Sequence, residues 1–254
     1  MAPPDQAWLA ASAAGNLALM ERYLFPSDSK RRAAQRDFCD ERGCSALTLA
    51  TRNGRQDAVA WLVSVGCNVD LQDSSGCTAL MHSVLGDQCA CGSTLVEAEA
   101  DLNLLDLTGK SAMIHAVTRT GKAAQFFLEL LIAAGGDVDI RDDAKGWTAL
   151  HWAMYKRHFG HMNTLVSAGA DLDVQDSQGR TPLMVGVLGY DEAAPTIPGI
   201  KLLIKNGADM SIREEDNCTA TDLAFLHKKQ PCLEVLEAAG AAVTKWRDTR
   251  KSAS

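Results

Sequence analysis

Thr148-Ala149-Leu150-His151-Trp152-Ala153 has relatives along the whole chain. Its opening recurs as Ser45-Ala46-Leu47-Thr48, Thr78-Ala79-Leu80-Met81, Ser111-Ala112-Met113-Ile114, Thr181-Pro182-Leu183-Met184 and Thr219-Ala220-Thr221-Asp222. The intervals between first residues are 33, 33, 37, 33 and 38. Upstream of each copy stand an acidic residue and a turn: Asp40…Gly43, Asp73…Gly76, Asp106…Gly109, Asp143…Gly146, Asp176…Gly179 and Glu214…Asn217. Gly or Asn supplies the positive φ that such a turn needs. Downstream come a paired apolar stripe and a small-residue stop, as in Leu62-Val63…Gly66, Leu165-Val166…Gly169-Ala170-Asp171 and Leu202-Leu203…Gly207-Ala208-Asp209. A degenerate copy opens the series with Trp8-Leu9-Ala10-Ala11, Gly15-Asn16 and Tyr23-Leu24, which makes seven units.

One such unit is two short helices and a turn, and it cannot bury its apolar face alone. Stacked neighbours share a core, so stability becomes a sum of repeat and interface terms. Small residues at fixed places, Ala50, Ala116, Ala153 and Ala224, let paired helices approach closely. The unit length, the hexapeptide at 148–153 and the Gly-Ala-Asp stop resemble the ankyrin repeat, over roughly residues 5–245. The resemblance implies an all-α fold, an ankyrin-repeat solenoid of helix-turn-helix units joined by β-hairpin-like turns. It predicts one array over 1–245, with units near 5–39, 40–72, 73–105, 106–142, 143–175, 176–213 and 214–245, and a basic polar tail at 246–254.

The departures from the period carry information. About six extra residues precede Asp40, including the basic run Lys30-Arg31-Arg32 and Arg36. The third full unit has four extra, three of them near Arg119-Thr120-Gly121-Lys122, and the fifth has five within Gly189–Pro198. Pro195 and Pro198 predict an exposed loop there between two helices. Glu99 replaces the usual stop glycine, which leaves that turn's geometry open.

The composition narrows the function. The 254 residues carry 25 Lys+Arg against 32 Asp+Glu, a net charge of -7. No apolar stretch approaches the ~20 residues that span a bilayer. Met1-Ala2-Pro3-Pro4-Asp5 lacks the basic-then-apolar pattern of a secretory leader. Eight scattered cysteines without a CxxC pair then fit a reduced, cytoplasmic protein, with Lys30-Arg31-Arg32 as a candidate nuclear address.

Signals for catalysis are weak. Cys89 and Cys91 fall two apart on a helix and face different ways, and His158 with His161 lacks further ligands for a zinc site. No thiol or hydroxyl has a local base-and-orienter signature, and no phosphate-cradling glycine motif is present. Asn217-Cys218-Thr219 is a glycosylation sequon without a secretory context. A non-enzyme without cofactor or metal is the expectation.

The resemblance implies protein binding on a concave side made of turn tips and first helices. By register that side includes Arg42, Arg52, Lys110, Arg119, Lys145, Lys156 and Arg180, against Glu41, Glu215 and Asp216. A basic groove facing an acidic protein partner follows, with Trp147 and Tyr155 as its aromatic anchor, since Trp, Tyr and Arg dominate hot spots. The plainer alternative is a solvated surface of mixed charge, with Trp147 capping a turn. Nucleic acid is disfavoured by the pI near 5.4, because basic clusters are confined to 30–36 and 245–251. A monomeric adaptor is the main reading. A structural subunit of a large cytoskeletal or organellar assembly, or a chaperone of the proteasome-assembly type, is the alternative.

Overall fold

The computed structural model describes residues 4–24, 36–189 and 196–240. Lys30-Arg31-Arg32, most of the 189–198 insertion and the 246–254 tail lie outside the described residues. The described residues form fourteen helices in seven pairs. They are α1 (Pro4–Ala14), α2 (Leu17–Leu24), α3 (Ala46–Arg52), α4 (Gln56–Ser64), α5 (Ala79–Leu85), α6 (Cys89–Glu97), α7 (Ala112–Thr118) and α8 (Lys122–Ala133). There follow α9 (Ala149–Lys156), α10 (Phe159–Ser167), α11 (Pro182–Leu188), α12 (Ile197–Lys205), α13 (Ala220–Leu226) and α14 (Gln230–Ala238).

The recurring Ser/Thr is the start signal of each first helix. Ser45, Thr78, Ser111, Thr181 and Thr219 sit in extended backbone as N-caps, and each side-chain oxygen accepts the N–H three residues on. Losing such a cap costs about 1 kcal/mol. Thr148 caps α9 in a reciprocal arrangement with His151.

The chain divides into two compact units, Met1–Asp137 and Val138–Ser254. In the first, α1, α3, α5 and α7 pack in sequence as one layer, and α2, α4, α6 and α8 as the other. Leu47, Leu62, Leu80, Leu95, Phe127 and Leu128 fill the space between them. In the second unit α9, α11 and α13 form one layer and α10, α12 and α14 the other, around Leu150, Met162, Leu165, Leu183, Leu203 and Leu236. The four spaced alanines are all buried, at the close approaches their size permits.

The irregular places resolve in specific ways. The extra residues after Arg119 lengthen a helix: α8 has 12 residues where the other second helices of full repeats have 9. Pro198 opens α12 from its first turn, where a missing N–H costs nothing, and Thr196 beside it is buried. The predicted exposed loop over 189–198 is therefore corrected at its C-terminal end. Glu99 takes φ +58°, so the turn keeps the shape its glycine counterparts have. A non-glycine residue adopts that region at some cost in backbone energy.

Candidate protein-binding surface

Five of the first helices, α3, α5, α7, α9 and α11, are preceded by a turn folded around one aspartate. Oδ1 of Asp40 accepts the N–H groups of Arg42 and Cys44, both at 2.8 Å. Asp73 does the same for Ser75 and Cys77, Asp106 for Thr108 and Lys110, and Asp176 for Gln178 and Arg180. In the remaining turn the residue that does this is Asp142, which accepts from Lys145 at 2.8 Å and Trp147 at 3.1 Å. The assignment of Asp143 as the turn-starting acid is thus corrected. This turn is one residue longer than the others, Asp142 is buried in it, and Asp143 is exposed.

The second oxygen of Asp73, Asp106, Asp142 and Asp176 ties the turn to a helix or to the preceding repeat. Asp73 Oδ2 takes His82 Nε2 at 2.7 Å, and Asp106 Oδ2 takes His115 Nε2 at 2.8 Å. Asp142 Oδ2 takes the indole N–H of Trp152 at 2.8 Å. Asp176 Oδ2 accepts from Trp147 Nε1 at 2.8 Å, one repeat upstream, and from Arg180 Nε at 3.0 Å and Nη2 at 2.8 Å. For three of these carboxyls, Asp73, Asp106 and Asp176, burial alone would push the pKa up, but their hydrogen bonds outweigh it. Asp73, Asp106 and Asp176 are held below the usual carboxylate range, chiefly by Ser75, Lys110 and Arg180 respectively.

Histidine takes two roles. His151 is fully buried. It accepts Thr148 N–H on Nδ1 at 3.2 Å, which leaves Nε2 to donate to the Arg180 carbonyl at 3.1 Å. Burial lowers its pKa to about 4, with the Arg180 carbonyl as the largest opposing influence. His115 is also pushed down by burial, against the pull of Asp106.

The atoms that could hold a metal lie on the same ladder. Asp73, Cys77 and His82, and likewise Cys77, Asp106 and His115, each bring three ligand-type atoms within 4.8 Å of one another. Sequence reading looked for ligands at Cys89/Cys91 and His158/His161 and missed these. Their chemistry favours structure: Trp152 stands where His82 and His115 stand, makes the same N–H bond and cannot ligate. The Cys77 thiol is raised by burial, so it is poorly suited to act as a nucleophile.

The structure sorts the residues picked out by register. Trp147 is a correction: it is 0% exposed, with its indole N–H on Asp176, and it offers no surface to a partner. Arg180 is another, because its guanidinium is folded back on its own turn aspartate and its side chain is 12% exposed. Arg42, Arg52 and Lys156 are exposed, and Lys110, Lys145, Tyr155 and Arg119 partly so. Arg52 reaches Cys44 Sγ at 3.6 Å, and Arg119 pairs with Asp87 at 2.9 Å. Trp147 and Tyr155 do meet, at 5.3 Å between ring centroids. A third ring missed from sequence joins them: Trp152 lies 4.9 Å from Trp147 and 5.9 Å from Tyr155. Its position, i and i+3 with Tyr155 on one helix, was the available signal.

A family model described as ankyrin repeats (3 copies) matches residues 7–106, 91–176 and 113–197. The chain belongs to the ankyrin-repeat family. Among solved structures, the ankyrin repeat domain of Bcl-3, a member of the IkappaB protein family, aligns with a TM-score of 0.79 at 22% identity, over 91% of this chain and 97% of that one. The ankyrin repeat protein EF0377 aligns with a TM-score of 0.68 at 25% identity, over 78% and 98%. Among curated proteins, mouse ankyrin repeat domain-containing protein 40 is 29% identical over 26% of this chain and 20% of its own length. An intracellular phospholipase A2 of Caenorhabditis elegans is 27% identical over 51% of this chain but 12% of its own. The first of these relatives are thus matched over a fifth of their length or less.

The ankyrin-repeat fold is a generic protein-interaction module, and the likeness to the phospholipase covers a small share of that enzyme. No helix among the described residues is long and apolar enough to cross a membrane. Neighbouring ankyrin turns are also stitched through backbone, Ser74 N–H to the Arg42 carbonyl at 2.8 Å and Ser177 N–H to the Lys145 carbonyl at 2.9 Å. Tips joined in this way form a firm platform for their side chains.

Proposed function

We propose that this ankyrin-repeat chain is a non-catalytic adaptor that holds an acidic protein segment on its turn tips and first helices. The observation that carries this reading is the grouping of Lys145 and Lys156 around Tyr155 in the second compact unit. Lys145 Nζ lies 5.6 Å and Lys156 Nζ 5.4 Å from the Tyr155 ring centroid. Two ammonium groups beside a partly exposed aromatic ring suit a carboxylate-bearing segment with an apolar contact point. Arg42 and Arg52 are the corresponding exposed cations of the first unit, and Lys110 and Arg119 stand partly exposed with them. Trp147 and Arg180 support this surface from beneath and are not contacts.

The test is crosslinked affinity purification with mass spectrometry, comparing the natural chain with Lys145→Glu/Lys156→Glu. The double variant should lose a defined set of acidic partners while its circular dichroism and urea midpoint stay unchanged, and capture by the natural chain should weaken with added salt. An identical partner set for both proteins would sink the assignment.

A further inference from the structure

Cys77 stands where two aspartate–histidine pairs of the first compact unit converge. Its sulfur comes within 4.8 Å of the ligand-type atoms of Asp106 and His115, and within the same distance of those of Asp73 and His82. Cys77 Sγ lies 4.0 Å from Asp106 Oδ2, the oxygen that also holds His115 Nε2 at 2.8 Å. Trp152 shows that one N–H bond to the aspartate is enough to hold a turn, so hydrogen bonding accounts for each carboxylate and its donor. It does not account for the thiol. Among the described residues, sulfur, imidazole and carboxylate converge in this way only around Cys77. Cys44 holds the corresponding place one repeat upstream, 4.0 Å from Asp73 Oδ2. There Arg52 points Nη1 at the sulfur from 3.6 Å, and a guanidinium in that position opposes a second cation.

We propose that Cys77, Asp106 and His115 form a binding site for a divalent ion of the zinc class. The donor set is one sulfur, one oxygen and one nitrogen, which suits zinc and disfavours magnesium and calcium, ions that take oxygen ligands. Tetrahedral zinc holds such donors about 3.5 Å apart. The thiol therefore closes in on the pair while the Asp106–His115 contact opens slightly to admit the ion. Binding breaks the Cys77 S–H bond and sends its proton to solvent. Coordination through Nε2 moves the His115 ring proton to Nδ1. The ion's two positive charges then meet one thiolate and one carboxylate, so no net charge is buried. Asp106 is set up for this role, because the N–H groups of Thr108 and Lys110 fix Oδ1 and leave Oδ2 aimed at the sulfur and the imidazole. Cys77 and Asp106 are buried, and the His115 side chain is 12% exposed. With three protein ligands, the fourth position is left to water. Such an ion joins the residue that precedes the α5 cap to the turn and first helix of the next repeat, so it locks two successive repeats together.

The test titrates the full, reduced chain with cobalt(II) chloride as a spectroscopic probe and then with zinc chloride. One equivalent of cobalt should give a thiolate-to-cobalt charge-transfer band together with the visible bands of a tetrahedral site, and zinc should displace it. Cys77→Ser should abolish the charge-transfer band, whereas Cys44→Ser should leave it. His115→Gln keeps an N–H for Asp106, as Trp152 does for Asp142, but removes the nitrogen ligand. It should weaken zinc by at least the roughly tenfold that loss of even a supporting group costs, and His82→Gln should change it less. Excess zinc should raise the melting temperature of the natural chain and not that of Cys77→Ser, with circular dichroism of the metal-free variant as the folding control. If Cys77→Ser does not fold, His115→Gln carries the test alone. A charge-transfer band that persists in Cys77→Ser, or equal zinc affinity in His115→Gln and the natural chain, places the ion elsewhere and overturns the proposal. So does the absence of any thiolate band, or a melting shift with magnesium chloride equal to that with zinc.

Discussion

Acidification from pH 7 to pH 5 should destabilise the second compact unit through His151. In the folded chain this imidazole is fully buried, and its two ring nitrogens are already used by Thr148 and the Arg180 carbonyl. Protonation would put a second ring N–H at Nδ1, which now accepts from Thr148 N–H. Of the nearby charges, Asp176 favours the cation while Arg141 and Arg180 oppose it, and burial dominates. The pKa therefore falls from 6.5 in the unfolded chain to about 4. The stabilisation is fully present above 6.5 and is lost as pH falls toward 4, because the unfolded chain takes up its proton first. At about 1.4 kcal/mol per pH unit, the loss is about 2 kcal/mol by pH 5 and roughly 3 kcal/mol below pH 4. Depressed carboxyls such as Asp176 act in the same direction only below their ordinary pKa of 3.8, so the window from 7 to 5 isolates histidine. Urea unfolding followed by tryptophan fluorescence at pH 7, 6 and 5 measures the effect, with His151→Gln as the control. The variant should be less stable at pH 7 and show a slope flatter by about 2 kcal/mol across the window, since His115 titrates in both proteins. Parallel pH profiles would refute the reasoning.

Three further outcomes follow from the packing. Trp147→Ala should cost about 3–5 kcal/mol, as for other buried aromatic truncations, while Trp147→Phe should cost clearly less because Arg180 still satisfies Asp176; thermal melts of both decide it. Gly92→Ala should cost about 1–3 kcal/mol in urea, since a methyl group there would run into the Phe127 ring in a filled core, and an unchanged midpoint would contradict that packing. The Cys67 thiol is raised by burial from 9.0 to about 12, so its stabilisation is complete below pH 9 and fades as pH rises toward 12. Between pH 8 and pH 10 the natural chain should lose about 1 kcal/mol more than Cys67→Ala, and equal losses would show that the thiol ionises freely when folded.

The fold was legible because its markers are backbone requirements. A Ser or Thr oxygen caps a first helix through atoms of its own residue and a neighbour three places on, and a glycine at positive φ meets a demand local to its turn. Such needs recur wherever the unit recurs, so the period shows them. The places that misled were choices between neighbours that only the folded turn can make. Asp142 and Asp143 are equally plausible turn acids in a string of residues, and burial of one decides between them. Likewise Glu99 can replace a stop glycine because the surrounding pair of helices holds it in the left-handed region.

The binding surface was less legible because the direction of a side chain before the cap is set one repeat away. The residue preceding each Ser/Thr is Cys44, Cys77, Lys110, Trp147, Arg180 or Cys218, a mixture that reads as surface if charge is the guide. Three of the six are cysteines, a type found inside far more often than outside, and that was the signal that the position faces inward. Trp147 and Arg180 meet there, both on Asp176, 29 residues from the tryptophan and 4 from the arginine. The same contact that removes them from the surface gives the surface its shape. With Trp147 held by Asp176 and Trp152 by Asp142, the aspartates that fold the turns also fix two of the rings around Lys145. A change of partner specificity in this repeat therefore has few routes that spare stability. Lys145, Tyr155 and Lys156 can vary at little cost to the fold, whereas Trp147 and Trp152 cannot be altered without loosening the turns that carry them.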